Sequence, residues 1–223
     1  MMMSQITSPI TTGWRDSLTT YQDISSEEMQ SLWAKVLAGE VRRPGSASVR
    51  TLSILRNLDQ VTAALFSRLC SVCVSFSLGG ELIDIRVPSL GGEPGQNALR
   101  EYGLHFDSLN ALNDYGLIIS DHNSWLDYRA SIGLHLPEPR QGKRTIFPFG
   151  FLGRYWVLSP ATERHPVDQE FRLLGVALTR AGRELSRIVD LEPVDEYTQA
   201  LEKFFQENNL RMTEVDSPLP QRV

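Results

Sequence analysis

The chain has 223 residues, of which 41% are hydrophobic and 9% aromatic, and it carries a formal net charge of -5. This length and composition predict a folded globular protein of one large or two small domains and exclude a disordered chain. The acidic balance argues against general nucleic-acid binding. The N-terminus lacks the basic start and apolar stretch of a secretory signal, and no apolar run reaches the roughly 20 residues of a membrane-spanning helix, so we expect a cytoplasmic location.

Basic residues are concentrated in one block of this acidic chain. Residues 140–190 contain 9 basic and 5 acidic side chains, a local charge of +4. Residues 1–139 contain 10 basic and 15 acidic side chains, and residues 191–223 contain 3 and 7. The basic block is explained either by a solvated face or by a surface for an anionic partner.

The chain begins with a polar, breaker-rich segment, residues 1–22, which we expect to be a flexible arm. A first helix is predicted over residues 26–38, because Ser25 and Glu28 form a capping-box pattern. Apolar residues then recur at helical spacing as far as Leu37.

Two more helices are predicted over residues 47–58 and 60–76, the last of them capped by Asp59. Residues 23–87 are therefore predicted to form a three-helix module that ends in a short strand. The expected core of this module contains Trp33, Leu37, Leu52, Leu55, Leu65 and Leu69.

The turn between the first two predicted helices is the strongest candidate for a functional site. A structural connector explains its Pro-Gly bend, and so does a docking loop, because loops held by rigid helices often carry function. As a docking loop, it would present charged side chains to a protein partner. The partner-binding candidates are Glu40, Arg42, Arg43, Pro44, Gly45 and Ser46.

The run from Glu27 to Leu55, EEMQSLWAKVLAGEVRRPGSASVRTLSIL, resembles the signature of bacterial domain-of-unknown-function family 2806. The resemblance is strong over residues 25–66 and looser at residues 112–118 and 178–185. It implies no catalytic residues, because the family has no established activity. The order of helix, GLI strand and LTxxG segment also resembles the abortive-infection alpha family, which implies a bacterial or prophage protein connected with phage defence.

The second half of the chain is predicted to form a separate domain. The breaker-rich residues 88–96 are expected to be a linker, residues 97–208 a winged-helix-like α+β domain, and residues 209–223 a flexible tail. The predicted elements are a helix from Asp107 to Gly116, strands near 117–119 and 125–136, a basic loop at 137–144, strands within 146–158 and 176–178, and helices beginning at Thr179 and Pro193. The predicted fold class is therefore α+β and mainly helical, with a small antiparallel sheet.

The sequence contains no pattern that indicates catalysis, a metal or a cofactor. The four histidines are isolated, and motifs of metalloproteases, serine hydrolases and P-loop enzymes are absent. Asp121, His122 and Ser124 contain suitable groups, but neighbours in one turn converge poorly on a substrate. Cys70 and Cys73 lie among apolar residues of a predicted helix and are expected to be packed core thiols.

Function is therefore predicted from surface charge and resemblance. We expect a non-enzymatic interaction or regulatory protein with a protein partner and no cofactor, and the resemblance adds phage defence. The alternative is a winged-helix nucleic-acid-binding protein, although the helix expected in the major groove, near residues 107–115, has no basic residue. Anion-binding candidates are Arg140, Lys143, Arg144, Arg180, Arg183 and Arg187.

Overall fold

The computed structural model describes residues 34–36, 38–39, 42, 47–78, 81–91, 97–132, 145–162, 170–217 and 221–222. Its helices are α1 Val49–Asn57, α2 Gln60–Ser71, α3 Phe106–Asp114, α4 Arg180–Ser186 and α5 Asp195–Glu207. Residues 34–36, 38–39 and 42 are also helical, and short 3-10 turns cover Ala98–Tyr102 and Arg129–Ser131. Its strands are β1 Val74–Leu78, β2 Glu81–Pro88, β3 Ile118–Ile119, β4 Trp125–Asp127, β5 Thr145–Ile146, β6 Phe149–Phe151, β7 Arg154–Pro160, β8 Arg172–Leu178, β9 Leu210–Val215 and β10 Gln221–Arg222.

The strands form one eight-stranded antiparallel sheet in the described part of the chain. The order is β3-β8-β2-β1-β6-β7-β9, with β4 also paired to β8. Because β3 and β4 both pair with β8, they follow one another along the same edge strand. The short strands β5 and β10 form a separate antiparallel pair.

Helix ends follow the capping chemistry of the sequence. The Asp59 carboxylate accepts a hydrogen bond from the Thr62 backbone N–H at 2.9 Å, and the Thr179 hydroxyl accepts one from the Gly182 N–H at 3.1 Å. Both caps agree with the sequence prediction. The cap of α1 is Ser48, whose hydroxyl accepts from the Thr51 N–H.

The sheet has an apolar core on each face. Phe76 pairs with Asp84 and Phe149, so these three side chains share a face, and the Phe149 ring packs 5.9 Å from Phe205 of α5. Val87 pairs with Val176 on the other face, where α4 packs after β8 and contacts α1. The buried apolar residues of both halves of the chain form one cluster.

The predicted mainly helical fold is wrong. The structure is about 43% helical and 28% strand and is organised around the eight-stranded sheet. The predicted third helix ends at Ser71, and Val74 to Leu78 form β1 instead. Its apolar residues suit either period over a short run, and here Val74 and Phe76 are buried with Ser75 between them half-buried.

The prediction of a separate N-terminal three-helix module is also wrong for the described residues. Helix α1 contacts α4 and helix α2 contacts α3, so each packs with later parts of the chain. Leu55, Leu65 and Leu69 are buried as expected, but in the shared core of the sheet. Trp33 and Leu37 lie outside the described residues.

The predicted winged-helix-like domain with a small sheet is replaced by the larger sheet. The expected strand over 125–136 ends at Asp127 and is followed by a 3-10 turn. Helix α3, expected to be the groove-reading helix, buries Leu109 and Leu112 completely in the core. The predicted flexible tail contains β9, which pairs with β7. The linker at residues 88–96 stays a prediction, since residues 92–96 lie outside the described ranges.

Candidate interaction surface

The Glu184 carboxylate holds the first turn of α1 against α4. Its Oε2 atom accepts hydrogen bonds from the Ser48 backbone N–H at 2.7 Å and from the Thr51 hydroxyl at 2.6 Å. Its Oε1 atom accepts from Arg180 Nε at 2.8 Å. Burial raises the pKa of Glu184, but these hydrogen bonds outweigh burial and lower the pKa to about 2. The carboxylate is therefore ionised throughout the physiological range.

Helix α4 is fixed in turn by its close approach to the end of α3. The Thr179 hydroxyl, which caps α4, donates to the Gly116 carbonyl oxygen at 2.6 Å. A Cβ atom on Gly182 would lie 2.1 Å from the Leu117 carbonyl oxygen, so only glycine permits this approach. Helix α1, helix α4 and the end of α3 are distant in sequence, and these contacts hold them together as one surface.

This rigid base carries exposed residues that we define as the basic surface: Val49, Arg50, Arg180 and Arg187. Val49 is 85% exposed although it is apolar, and the Arg180 side chain is 81% exposed. Arg50 extends toward Gly116, where an added Cβ atom would lie 3.0 Å from Arg50 Nη2. Within the described residues, Arg50 and Arg187 are exposed and form no ion pair. Positive charge and an apolar side chain are therefore both presented to solvent.

The three predicted arginines of α4 divide into two groups. Arg180 and Arg187 are exposed at the basic surface. Arg183 is half-buried and donates from Nη1 to the carbonyl oxygen of Ile83 in β2 at 3.1 Å. Its Nε atom is buried without a hydrogen-bond partner among the described residues. Arg183 therefore connects α4 to the sheet rather than extending the basic surface.

In the sequence, the predicted turn comes just before α1, which carries part of the basic surface. Arg42 is helical and exposed, whereas Glu40, Arg43, Pro44, Gly45 and Ser46 lie outside the described residues. Upstream of the turn, Lys35 Nζ lies 2.6 Å from Asp190 Oδ2, just after α4. Downstream of the turn, Ser48 binds Glu184. The other predicted anion-binding residues, Arg140, Lys143 and Arg144, also lie outside the described ranges.

Sequence reasoning missed Glu184, Val49 and Arg50. The signal that was available is the spacing of Arg180 and Glu184, an i,i+4 pair of opposite charge on one helix face. The contacts of Glu184 with Ser48 and Thr51 span more than 130 positions of sequence. Only the packing of α1 on α4 brings them together.

A second charged cluster lies in the core and is inaccessible to a partner. Arg86 and Asp84 form an ion pair on β2, with 4% and 8% of their surfaces exposed. Arg86 Nη1 also donates to the carbonyl oxygens of Ser124 at 3.0 Å and Leu173 at 2.9 Å. The Tyr128 hydroxyl lies 3.4 Å from Asp84 Oδ2. These partners satisfy both ions and tie β4 and β8 to β2.

The histidine and serine of the turn at residues 121–124 do not form a nucleophile and base. The Ser124 hydroxyl donates to the Gly175 carbonyl oxygen at 2.6 Å. His122 packs against Phe106, and burial lowers its pKa more than neighbouring Asp121 raises it. Its Nε2 atom is buried without a hydrogen-bond partner in the described part of the chain.

The two cysteines are buried and free, as predicted. Cys70 lies in α2, but Cys73 follows the end of that helix. Burial raises the pKa of both thiols, which opposes formation of a reactive thiolate. Among the described residues, no three histidine, cysteine, aspartate or glutamate side chains are grouped as metal ligands.

Residues 5–202 match the profile of DUF2806, a protein family of unknown function. The chain belongs to the DUF2806 family. No curated protein and no solved structure matches it. The family resemblance seen in the residues is thus confirmed, and it extends over most of the chain. In the described ranges, no helix is long and apolar enough to cross a membrane.

Proposed function

We propose that this DUF2806 protein is a non-enzymatic interaction component that binds a protein partner through the basic surface. The observation that carries the proposal is the Glu184 network, which fixes α1 against α4 beneath exposed arginines, of which Arg50 and Arg187 form no ion pair within the described residues. Rigid presentation lowers the entropy lost on binding, because fewer side chains and loops must be ordered. The predicted turn precedes α1 in the sequence and contains two further arginines, Arg42 and Arg43.

The composition of the basic surface favours a protein partner with acidic and apolar groups. Arginine is enriched at protein interfaces, and an exposed valine beside it offers apolar area that water solvates poorly. Arg50 and Arg187 have no ion pair within the described residues, so a carboxylate of a partner can bind either one without displacing an existing bond. Electrostatic complementarity of this kind raises the association rate and selects among partners.

Nucleic-acid binding is the competing function, and the charges around the basic surface weigh against it. Glu184 lies at the base of the surface, and Asp190 lies beside Lys35. A duplex contacts many phosphates at once, and negative side chains within that footprint oppose it. The link with phage defence is part of our proposal and rests on the resemblance to the abortive-infection alpha family.

Affinity capture from the native host tests the proposal. The bait is the full chain, either unchanged or with Arg50→Ala and Arg187→Ala, after nuclease treatment of the lysate. A protein recovered in stoichiometric amount by the unchanged chain should be lost with the double variant. The matched control is Arg211→Ala on β9, an exposed arginine at the opposite edge of the sheet, which should retain the partner. A partner retained by every variant would refute the proposed surface.

A further inference from the structure

The β3–β4 turn, residues 120–124, is anchored to the rest of the molecule at both ends. At its start, the Ser120 backbone N–H donates to the Asn113 Oδ1 atom of α3 at 3.2 Å. At its end, the Ser124 hydroxyl donates to the Gly175 carbonyl oxygen at 2.6 Å, and the Gly175 N–H donates to the Ser124 carbonyl oxygen at 2.9 Å. The ends of the turn are therefore tied to α3 and β8.

The middle of the turn is attached to the molecule through His122. The Asn123 N–H donates to Asp121 Oδ1 at 2.9 Å and the Asp121 N–H to the Ile119 carbonyl oxygen at 2.8 Å, so these hydrogen bonds stay within the turn and β3. The His122 ring instead packs against Phe106, the first residue of α3, with 5.8 Å between the ring centres. His122 therefore holds the middle of the turn against the start of α3.

The imidazole of His122 suits this contact only while it is neutral. Its Nε2 atom is buried, and no described residue forms a hydrogen bond with it. A protonated imidazole carries an N–H at both of its nitrogens. The buried position would then hold a charged donor without an acceptor, and leaving such a group unpaired is costly.

The charges around the turn do not offset this cost. The titratable and charged groups of the elements packed around it are Asp121 in the turn, His105, Asp107 and Asp114 at the ends of α3, Arg86 of β2 and Arg172 of β8. Among the described residues, the charge of Asp121 raises the pKa of His122, but burial lowers this pKa more, to below its ordinary value of 6.5. The closed turn is therefore most stable above pH 6.5 and is weakened as the pH falls below that value, because the open turn binds a proton more readily.

We propose that His122 is an acid-sensitive latch: its neutral ring holds the β3–β4 turn against the start of α3, and protonation releases the turn. The release is local, since surface turns open at a small fraction of the free energy of global unfolding. It removes the ring contact from Phe106, which is already 49% exposed, and so enlarges the apolar surface at the start of α3. Protonation of histidine is a general means of switching conformation near neutral pH. The basic surface and its partner take no part in this switch.

Two substitutions of His122 hold the latch in opposite states. His122→Phe keeps a ring against Phe106 and cannot be protonated, so the turn should stay closed at about pH 7.5 and at about pH 5. His122→Lys carries a positive charge at both pH values, so the turn should stay open.

Amide hydrogen exchange in the full chain, corrected for the intrinsic effect of pH on exchange, measures the opening. The reporters are the backbone amides of Asp121, Asn123 and Ser124, which are hydrogen-bonded in the closed turn. The unchanged chain should match His122→Phe at about pH 7.5 and move toward His122→Lys at about pH 5.

The titration of His122 is an independent measurement on the unchanged chain. Its imidazole resonance, assigned by its loss in His122→Phe, should titrate with a midpoint below 6.5. The loss of amide protection on acidification cannot exceed about tenfold for each pH unit that separates this midpoint from 6.5, so the two measurements must agree. His105→Gln is the matched control: it removes the histidine next to Phe106 and should keep the response to pH.

Several results would overturn the proposal. A midpoint at or above 6.5 would mean that Phe106 stabilises the protonated ring. Equal amide protection of the unchanged chain at both pH values would show that protonation does not open the turn. A response to pH that persists in His122→Phe, or one that is lost in His105→Gln, would assign the switch to another group. A turn that is open in His122→Phe at about pH 7.5 would show that the ring contact does not close it.

Discussion

Two carboxylate–guanidinium networks in this protein differ chiefly in their contact with water. Asp84 and Arg86 lie in the core, where every charge must be paired because desolvation is costly. Glu184 and Arg180 lie at the surface: the carboxylate is largely covered, whereas the guanidinium is mostly in solvent. The charged groups of the first network bind one another and neighbouring strands, so this network joins strands of the sheet. The second fixes two helices and still presents positive charge to solvent.

The largest effect is expected from breaking the buried pair. Arg86→Met leaves the Asp84 carboxylate in the core without its cation, and breaking a buried pair costs about 3–5 kcal/mol. Urea unfolding should show a correspondingly lower midpoint. The matched control is Asp84→Leu with Arg86→Met, which removes both charges and should be more stable than the single variant. An Arg86→Met protein with a normal midpoint would show that the pair is not essential to the fold.

A smaller loss is expected at the surface network. Glu184→Gln removes the charge that strengthens the bonds to Ser48 and Thr51, and we expect a loss of about 2 kcal/mol because charge-assisted hydrogen bonds exceed neutral ones. Thermal unfolding of the variant measures it. Glu192→Gln, an exposed glutamate after α4, is the control and should unfold as the unchanged chain does. Equal midpoints for Glu184→Gln and Glu192→Gln would contradict the assigned role.

The stability of the unchanged chain and that of the Glu184→Gln variant should depend differently on pH. Folding lowers the pKa of Glu184 from 4.5 to about 2, so its ionised form stabilises the protein fully above pH 4.5. That contribution is lost as the pH falls toward 2, because the unfolded state then binds a proton more readily. Unfolding free energies of the unchanged chain and Glu184→Gln should therefore differ by a constant amount above pH 4.5 and converge on acidification. A constant difference down to the lowest pH would contradict this.

Almost no change in stability is expected from the predicted turn. Arg42→Ala with Arg43→Ala should shift the unfolding free energy by at most about 0.5 kcal/mol, since Arg42 is exposed, Arg43 is predicted to be, and surface substitutions rarely do more. Binding of the captured partner should nevertheless fall if the turn belongs to the same interface. Gly45→Val is the contrasting variant and should lower the melting temperature by disturbing the bend. A double variant that binds normally would make the turn a structural connector.

The smallest effect is expected when binding to nucleic acid is measured. A labelled duplex titrated at about 0.15 M salt should bind more weakly than micromolar, because a few arginines beside acidic groups cannot release many counterions. Fluorescence anisotropy measures the affinity. Weak binding that appears only at low salt agrees with a basic surface, whereas sub-micromolar binding at about 0.15 M would favour the nucleic-acid alternative.

Sequence reasoning located local features well and misjudged their assembly. The caps at Asp59 and Thr179 depend on a few neighbouring residues and were predicted. The segment from Val74 to Leu78 was predicted as helix because short apolar runs suit both periods. The segment is a strand because it pairs with β2 and β6, and both of these strands lie later in the chain.

The sequence by itself determined the family, the caps at Asp59 and Thr179 and the concentration of basic residues in 140–190, because motif, capping and charge are all local properties. Tertiary structure alone decided that the strands form one large sheet and that Asp84 and Arg86 are buried together. It also placed Glu184 against Ser48 and Thr51, which made Val49 and Arg50 part of a surface with Arg180. The physical reason is that hydrogen-bonded strand partners and desolvated ion pairs join residues far apart in sequence, and their energies depend on the whole packed core.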